Sequence, residues 1–119
     1  MLEALISKFA QIEDPRCDWR VEHKLLDILV IAVCAVIGEA ESFEDIALYG
    51  RCKRDWLGRF LELPGGIPSH DTFRRVLMLI DPECVKAGLT VYQNGEAILY
   101  QLFEYVRLPE SSRSSRFER

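Results

Sequence analysis

The run ILVIAVCAVI, Ile28 to Ile37, constrains this chain more than any other feature. It is uninterrupted by a polar residue and bracketed by Asp27 and Glu39. A bilayer-spanning helix needs about 20 apolar residues, so the run is too short to be a membrane anchor. Apolarity on every face also excludes a surface helix, because such an element must be enclosed by others. The β-branched content allows a strand reading. The flanks EHKLLD and CAVIGEAE favour helix, and no neighbouring run offers a pairing partner. We therefore read a central buried helix from about Val21 to Ile37, with a polar start at Glu22, His23 and Lys24 and a stop at Gly38. The remainder of the 119 residues must supply its cover, within one ordinary domain.

Cover is available on both sides. Met1 to Ile12 carries Leu2, Leu5, Ile6 and Phe9 on one helical face, and EDPRCDW then breaks it. Trp19 is a candidate anchor onto the core. Ser42 opens a capping box with Asp45, directing Phe43, Ile46 and Ala47 inward, and Gly50 is expected to interrupt that helix. RCKRDWLGRFLEL follows, with Trp56, Leu57, Phe60 and Leu61 at helical spacing, and Pro64 to Pro68 forms a turn. Ser69 caps a helix whose inward face is Phe73, Val76, Leu77 and Ile80. Asp81 caps another, with Pro82 in its first position. QNGE is a turn, and Glu96 to Arg107 is a final helix. The fold class is all-α: a compact bundle of five to seven short helices over residues 1–107, with a disordered polar tail at 108–119. Residues 53–80 allow a helix–turn–helix arrangement, although LPGGIP exceeds the tight turn of the DNA-binding motif.

Charge separates along the chain. The total is −4, which argues mildly against a nucleic-acid binder. Residues 51–75 nevertheless hold Arg51, Lys53, Arg54, Arg59, Arg74 and Arg75 against Asp55, Glu62 and Asp71, a local excess of +3. A recognition helix presents its first residues to base edges while Arg and Lys hold phosphates. The DNA-binding candidates are accordingly Arg51, Lys53, Arg54, Arg59, Ser69, His70, Thr72, Arg74 and Arg75.

Other chemistries fit less well. Ser69, His70 and Asp71 are adjacent, whereas a catalytic triad needs side chains converging from separate segments. His23 and Asp27 stand four apart and suit a structural pair on one helix face. Cys17, Cys34, Cys52 and Cys84 form no CxxC pair, and with His23 they match no common zinc spacing. The acids lack a calcium-loop pattern, and PGGIP lacks the Lys-Ser/Thr of a phosphate loop. No catalytic residue, metal or cofactor is expected. Without a signal segment, the thiols are expected to be reduced and the protein cytoplasmic.

One pattern runs through these segments. It comprises Asp14 and Arg16, then His23, Leu25, Asp27, Ile28 and Leu29, then Cys34, Ala35 and Val36, then Asp45 and Ile46. Trp56 and Leu57 follow, then Gly66, Pro68, Ser69, His70, Asp71, Thr72, Arg75 and Val76, and finally Asp81 and Pro82. Over about residues 12–85 the chain resembles the N-terminal associated domain of DDE-type insertion-sequence transposases, the H-repeat-associated family. The resemblance implies a protein of DNA transposition. It also implies that the catalytic domain, whose three acids hold two divalent metal ions, lies beyond this one. The chain departs from the pattern near Ala87, and no DGK segment carrying the first catalytic acid follows. On this expectation it does not cut or join DNA by itself. Its partners would be double-stranded DNA of transposon ends, or a second copy or a full-length transposase, with no membrane contact.

Overall fold

The computed structural model describes residues 2–16 and 22–107. The expected start at Val21, the Trp19 anchor and the 108–119 tail lie outside the described residues. Seven helices and no strand occur among those described: α1 (Leu2–Phe9), α2 (Leu25–Ile37), α3 (Phe43–Cys52), α4 (Arg54–Leu57), α5 (His70–Leu79), α6 (Pro82–Leu89) and α7 (Gly95–Arg107). None is long and apolar enough to cross a membrane.

The central apolar helix is enclosed as its composition demands. Every α2 residue from Asp27 to Val36 is buried, and only Leu26 and Ile37 retain exposure. Helices α1, α3 and α7 pack directly on it. Helix α5 packs against α3 and α7, and α6 against α1 and α7, so two further helices close the cover. Phe9, Phe43 and Phe73, from α1, α3 and α5, are among the largest fully buried side chains.

The start of α2 differs from the sequence reading, and its end agrees with it. Glu22, His23 and Lys24 lie outside the helix, and Lys24 is an extended N-cap. The expected His23–Asp27 pair therefore does not sit on one helix face, although the charge of His23 still acts on Asp27. At the other end Gly38 is the C-cap, as expected, and the left-handed residue just beyond it is Glu39, with φ 73°. The Glu39 N–H donates to the Val36 carbonyl at 3.0 Å and the Ala40 N–H to the Ala35 carbonyl at 2.9 Å. That pair of bonds closes the last turn as a Schellman motif.

The caps formed by Ser42, Ser69 and Asp81 appear where the side chains called for them. Ser42 Oγ accepts the Asp45 N–H at 3.1 Å, while Asp45 Oδ2 accepts the Glu41 N–H at 2.9 Å. Asp81 Oδ1 accepts the Glu83 N–H at 3.0 Å. The entry to α3 is also tied to α7: the Tyr105 hydroxyl donates to the Ala40 carbonyl, and the Tyr105 and Phe43 rings meet edge to face at 5.9 Å.

Gly50 does not interrupt its helix, since α3 continues to Cys52. A Cβ at Gly50 would stand 2.7 Å from Ile67 Cγ2, so the glycine lets the later connection lie against α3. The helix expected over RCKRDWLGRFLEL shrinks to the single turn α4, after which Phe60 folds back to meet the Trp56 ring edge to face at 4.8 Å. Residues 53–80 thus hold a one-turn helix, a long connection and α5, and the helix that packs on α5 is α3.

That connection is fastened to the start of α2 by polar groups. Asp27 is 2% exposed, and its Oδ2 accepts the Leu63 N–H at 3.0 Å. Leu63 takes φ 47°, and Lys24 forms an ion pair with Glu62. A Cβ at Gly65 would come within 2.7 Å of the Glu22 carbonyl oxygen, so only glycine allows this approach. Arg16, held by Asp14 at 2.7 Å, donates to the His23 carbonyl at 2.8 Å. Four residues of the early pattern, Asp14, Arg16, His23 and Asp27, therefore belong to one junction. The second Asp27 oxygen, Oδ1, has no hydrogen-bond partner. Burial pushes this carboxyl above the usual carboxylate range, against the lowering effect of the Leu63 N–H.

Two predictions follow from this packing. Leu77 is 1% exposed and Leu79 is 61% exposed on the same helix. Urea unfolding should show Leu77→Ala destabilised by about 2–5 kcal/mol and Leu79→Ala changed by less than about 0.5 kcal/mol. For Asp27, the raised folded pKa means that its contribution is full below the ordinary value of 3.8 and is lost as pH rises through the folded value. Asp27→Asn lacks this dependence. Wild type should gain stability relative to the variant as pH falls towards about 4, measured by urea unfolding at each pH.

Candidate nucleic-acid interface

The basic residues fall into two groups. Arg51 lies in the last turn of α3, Lys53 caps the junction between α3 and α4, Arg54 opens α4, and Arg59 lies just beyond α4. All four are exposed, and none makes an ion pair or side-chain hydrogen bond among the described residues. The acidic Asp55 is exposed between them. The close approach of Ile67 to Gly50 brings the last turn of α3 beside the connection that leads into α5.

The second group sits on the first two turns of α5. Ser69 Oγ accepts the Thr72 N–H at 3.3 Å and lies 3.2 Å from Thr72 Oγ1, so both hydroxyls are engaged in the cap. His70 is exposed. Arg74 and Arg75 are not free guanidinium groups projecting from the helix: they share Asp71. Arg74 Nη2 donates to Asp71 Oδ1 at 2.8 Å, and Arg75 Nε lies 3.0 Å from Asp71 Oδ2. Arg74 Nη1 also lies 3.5 Å from Met78 Sδ. The Arg74 hydrogen bond, reinforced by the charge of Arg75, holds the Asp71 carboxyl below the usual carboxylate range.

Asp71 sits in the first turn of α5 and joins the two arginines. Its spacing of three and four from the arginines was the available signal, because residues so spaced are neighbours on a helix surface. The arrangement has a chemical consequence. The carboxylate offsets one of two positive charges and fixes both guanidinium planes. The Ser-His-Asp sequence forms no triad: Ser69 pairs with Thr72 and Asp71 with the arginines. Cys34, the one free cysteine buried in the core among the described residues, has its thiol pKa pushed up to about 11 by burial, which leaves it protonated and unreactive at neutral pH.

Known proteins share this sequence. The chain is 51% identical over 81 residues to the "Uncharacterized protein in dhlA 3'region" of Xanthobacter autotrophicus, covering 67% of this chain and 28% of that protein. It is 44% identical over 81 residues to the "H repeat-associated putative transposase YhhI" of Escherichia coli, covering 68% of this chain and 21% of the relative. It is 42% identical over 76 residues to the "Inactive transposase YbfQ" of Escherichia coli, covering 64% of this chain and 90% of the relative. The chain thus spans less than a third of the length of the first two relatives. No solved structure gives a significant match. The DDE_Tnp_1-associated family matches residues 6–92, wider at both ends than the pattern read over 12–85. Because that match takes in the second half of α1, all of α2 to α6 and well over half of the sequence, the chain belongs to the DDE_Tnp_1-associated family.

Proposed function

We propose that this chain is a non-catalytic module of DNA transposition that contacts the double-stranded DNA of transposon ends through its basic end. The observation that carries the reading is the set Arg51, Lys53, Arg54 and Arg59, exposed and without ion-pair partners among the described residues. Surface cations left unneutralised in this way suit phosphate oxygens, which fix a protein on a duplex without reading sequence. Family membership supports the setting, since the relatives include proteins named as transposases. In this reading the strand chemistry belongs to a separate catalytic domain, and the module works in the cytoplasm, where the DNA lies. The overall −4 charge keeps the rest of the surface from binding DNA indiscriminately.

A second reading has its own support. Met78 and Leu79, at the end of α5, are 57% and 61% exposed. Adjacent exposed apolar residues suit a protein contact, with a second copy or with a transposase catalytic domain.

The two readings predict different losses. With a transposon-end duplex as probe, Arg51→Ala combined with Lys53→Ala should weaken binding. It should also flatten the dependence of log affinity on log salt by about 0.9 for each lost phosphate contact. An unchanged slope would remove these residues from the interface. Met78→Lys combined with Leu79→Lys should abolish any self-association seen by sedimentation while sparing DNA affinity. If DNA affinity falls equally, the apolar pair belongs to the DNA-contacting face instead.

A further inference from the structure

We infer that Arg75 reads a guanine base in the major groove, with Asp71 as its positioning residue. This inference rests on the DNA-contacting reading above and adds a base preference to it. Arg75 is attached to Asp71 through Nε alone, which lies 3.0 Å from Oδ2 and 3.4 Å from the Asp71 carbonyl oxygen. Its Nη1 and Nη2 have no hydrogen-bond partner among the described residues, and the side chain is 64% exposed. The side of the guanidinium is therefore anchored and its end presents a free fork. Two parallel N–H donors of that kind match O6 and N7 of guanine, the commonest specific contact of arginine in the major groove.

The neighbouring carboxylate selects between two kinds of acceptor. A phosphate placed on the Arg75 fork would bring its negative charge close to Asp71, and the two anions repel. The guanine edge is neutral, so it gains the fork without that repulsion. Arg74 takes the other oxygen of Asp71 at 2.8 Å, so the carboxylate cannot turn away from Arg75 without losing both bonds. Position on the helix agrees: α5 opens at His70, and Arg75 lies in its second turn, within the part of a recognition helix that reaches base edges. The roles then divide. Arg51, Lys53, Arg54 and Arg59 hold the backbone, and Arg75 discriminates.

The test uses the full chain and a pool of randomised DNA duplexes. Wild type should enrich duplexes sharing a guanine, and replacing that guanine with 7-deazaguanine should weaken binding by about tenfold or more. Arg75→Gln should lose the guanine preference while retaining phosphate-driven affinity from the other cations. Asp71→Asn should raise affinity for all duplexes at low salt and reduce the preference, because the fork keeps only its bond to the backbone carbonyl, loses the ion pair that fixes it, and no longer has a carboxylate beside it to repel phosphate. Circular dichroism of each variant checks that the helices persist. The inference is overturned if Arg75→Ala weakens all duplexes equally and lowers the salt slope by about one, the behaviour of a phosphate contact. It is also overturned if a guanine preference survives Arg75→Gln. Duplex binding by wild type without any base preference refutes the guanine contact and leaves the DNA reading standing. Wild type that binds no duplex at all refutes both.

Discussion

The all-round burial of α2 is the constraint on which the other elements depend. A helix with one apolar stripe needs one neighbour, whereas this one has no polar side to expose along Ile28–Val36. Its cover must come from several directions, and a chain of this size has few elements to spare. Helices α1, α3 and α7 meet it directly, drawn from the beginning, middle and end of the described chain. The segments between them are then committed to bridging. This explains why the connection from Gly58 to Ser69 is long and irregular, yet carries buried anchors such as Leu61.

Within that frame, one buried carboxylate ties the irregular connection to the central helix. Asp27 accepts a backbone N–H from Leu63, in a segment with few backbone partners of its own. A buried hydrogen bond to a charged group is worth about 1.5–3 kcal/mol, and losing one partner costs at least the desolvation of the other. Its position fixes where Pro64 to Pro68 turns and hence where Ser69 begins α5. The candidate DNA surface is therefore set from the core outwards: α2 locates Leu63, Leu63 leads to the turn, and the turn aims the helix that carries Asp71, Arg74 and Arg75.

The readable and unreadable parts of this structure differ by the range of the interactions involved. Ser42, Ser69 and Asp81 cap their helices through atoms two or three residues away, and such caps are visible in a single stretch of sequence. The helical periodicity of Phe73, Val76 and Leu77 likewise located their buried face. Gly50 was misread because a glycine in a helix signals either a break or a close neighbour, and the neighbour, Ile67, is remote in sequence. The hydrogen-bond partner of Asp27 is hidden for the same reason: His23 is near in sequence, but the bond comes from Leu63, 36 residues away. The basic residues were legible as a list. The sharing of Asp71 between Arg74 and Arg75 was legible only through spacing, and it changes what those two arginines can contact.

The Asp27–Leu63 bond also makes the connection a reporter on itself. An amide in an irregular segment ordinarily exchanges its proton with solvent at a rate close to that of an open chain. The Leu63 amide is held by a buried carboxylate, so its exchange is slowed to the frequency with which this junction opens. If the junction opens only when α2 unfolds, the Leu63 amide exchanges as slowly as the amides of the central helix. Faster exchange at Leu63 than in α2 would mean that the turn and the entry to α5 form a separate cooperative unit, able to detach and re-dock while the bundle stays folded. The surface carrying Arg75 would then be adjustable in orientation, a property that no single arrangement of its side chains reveals.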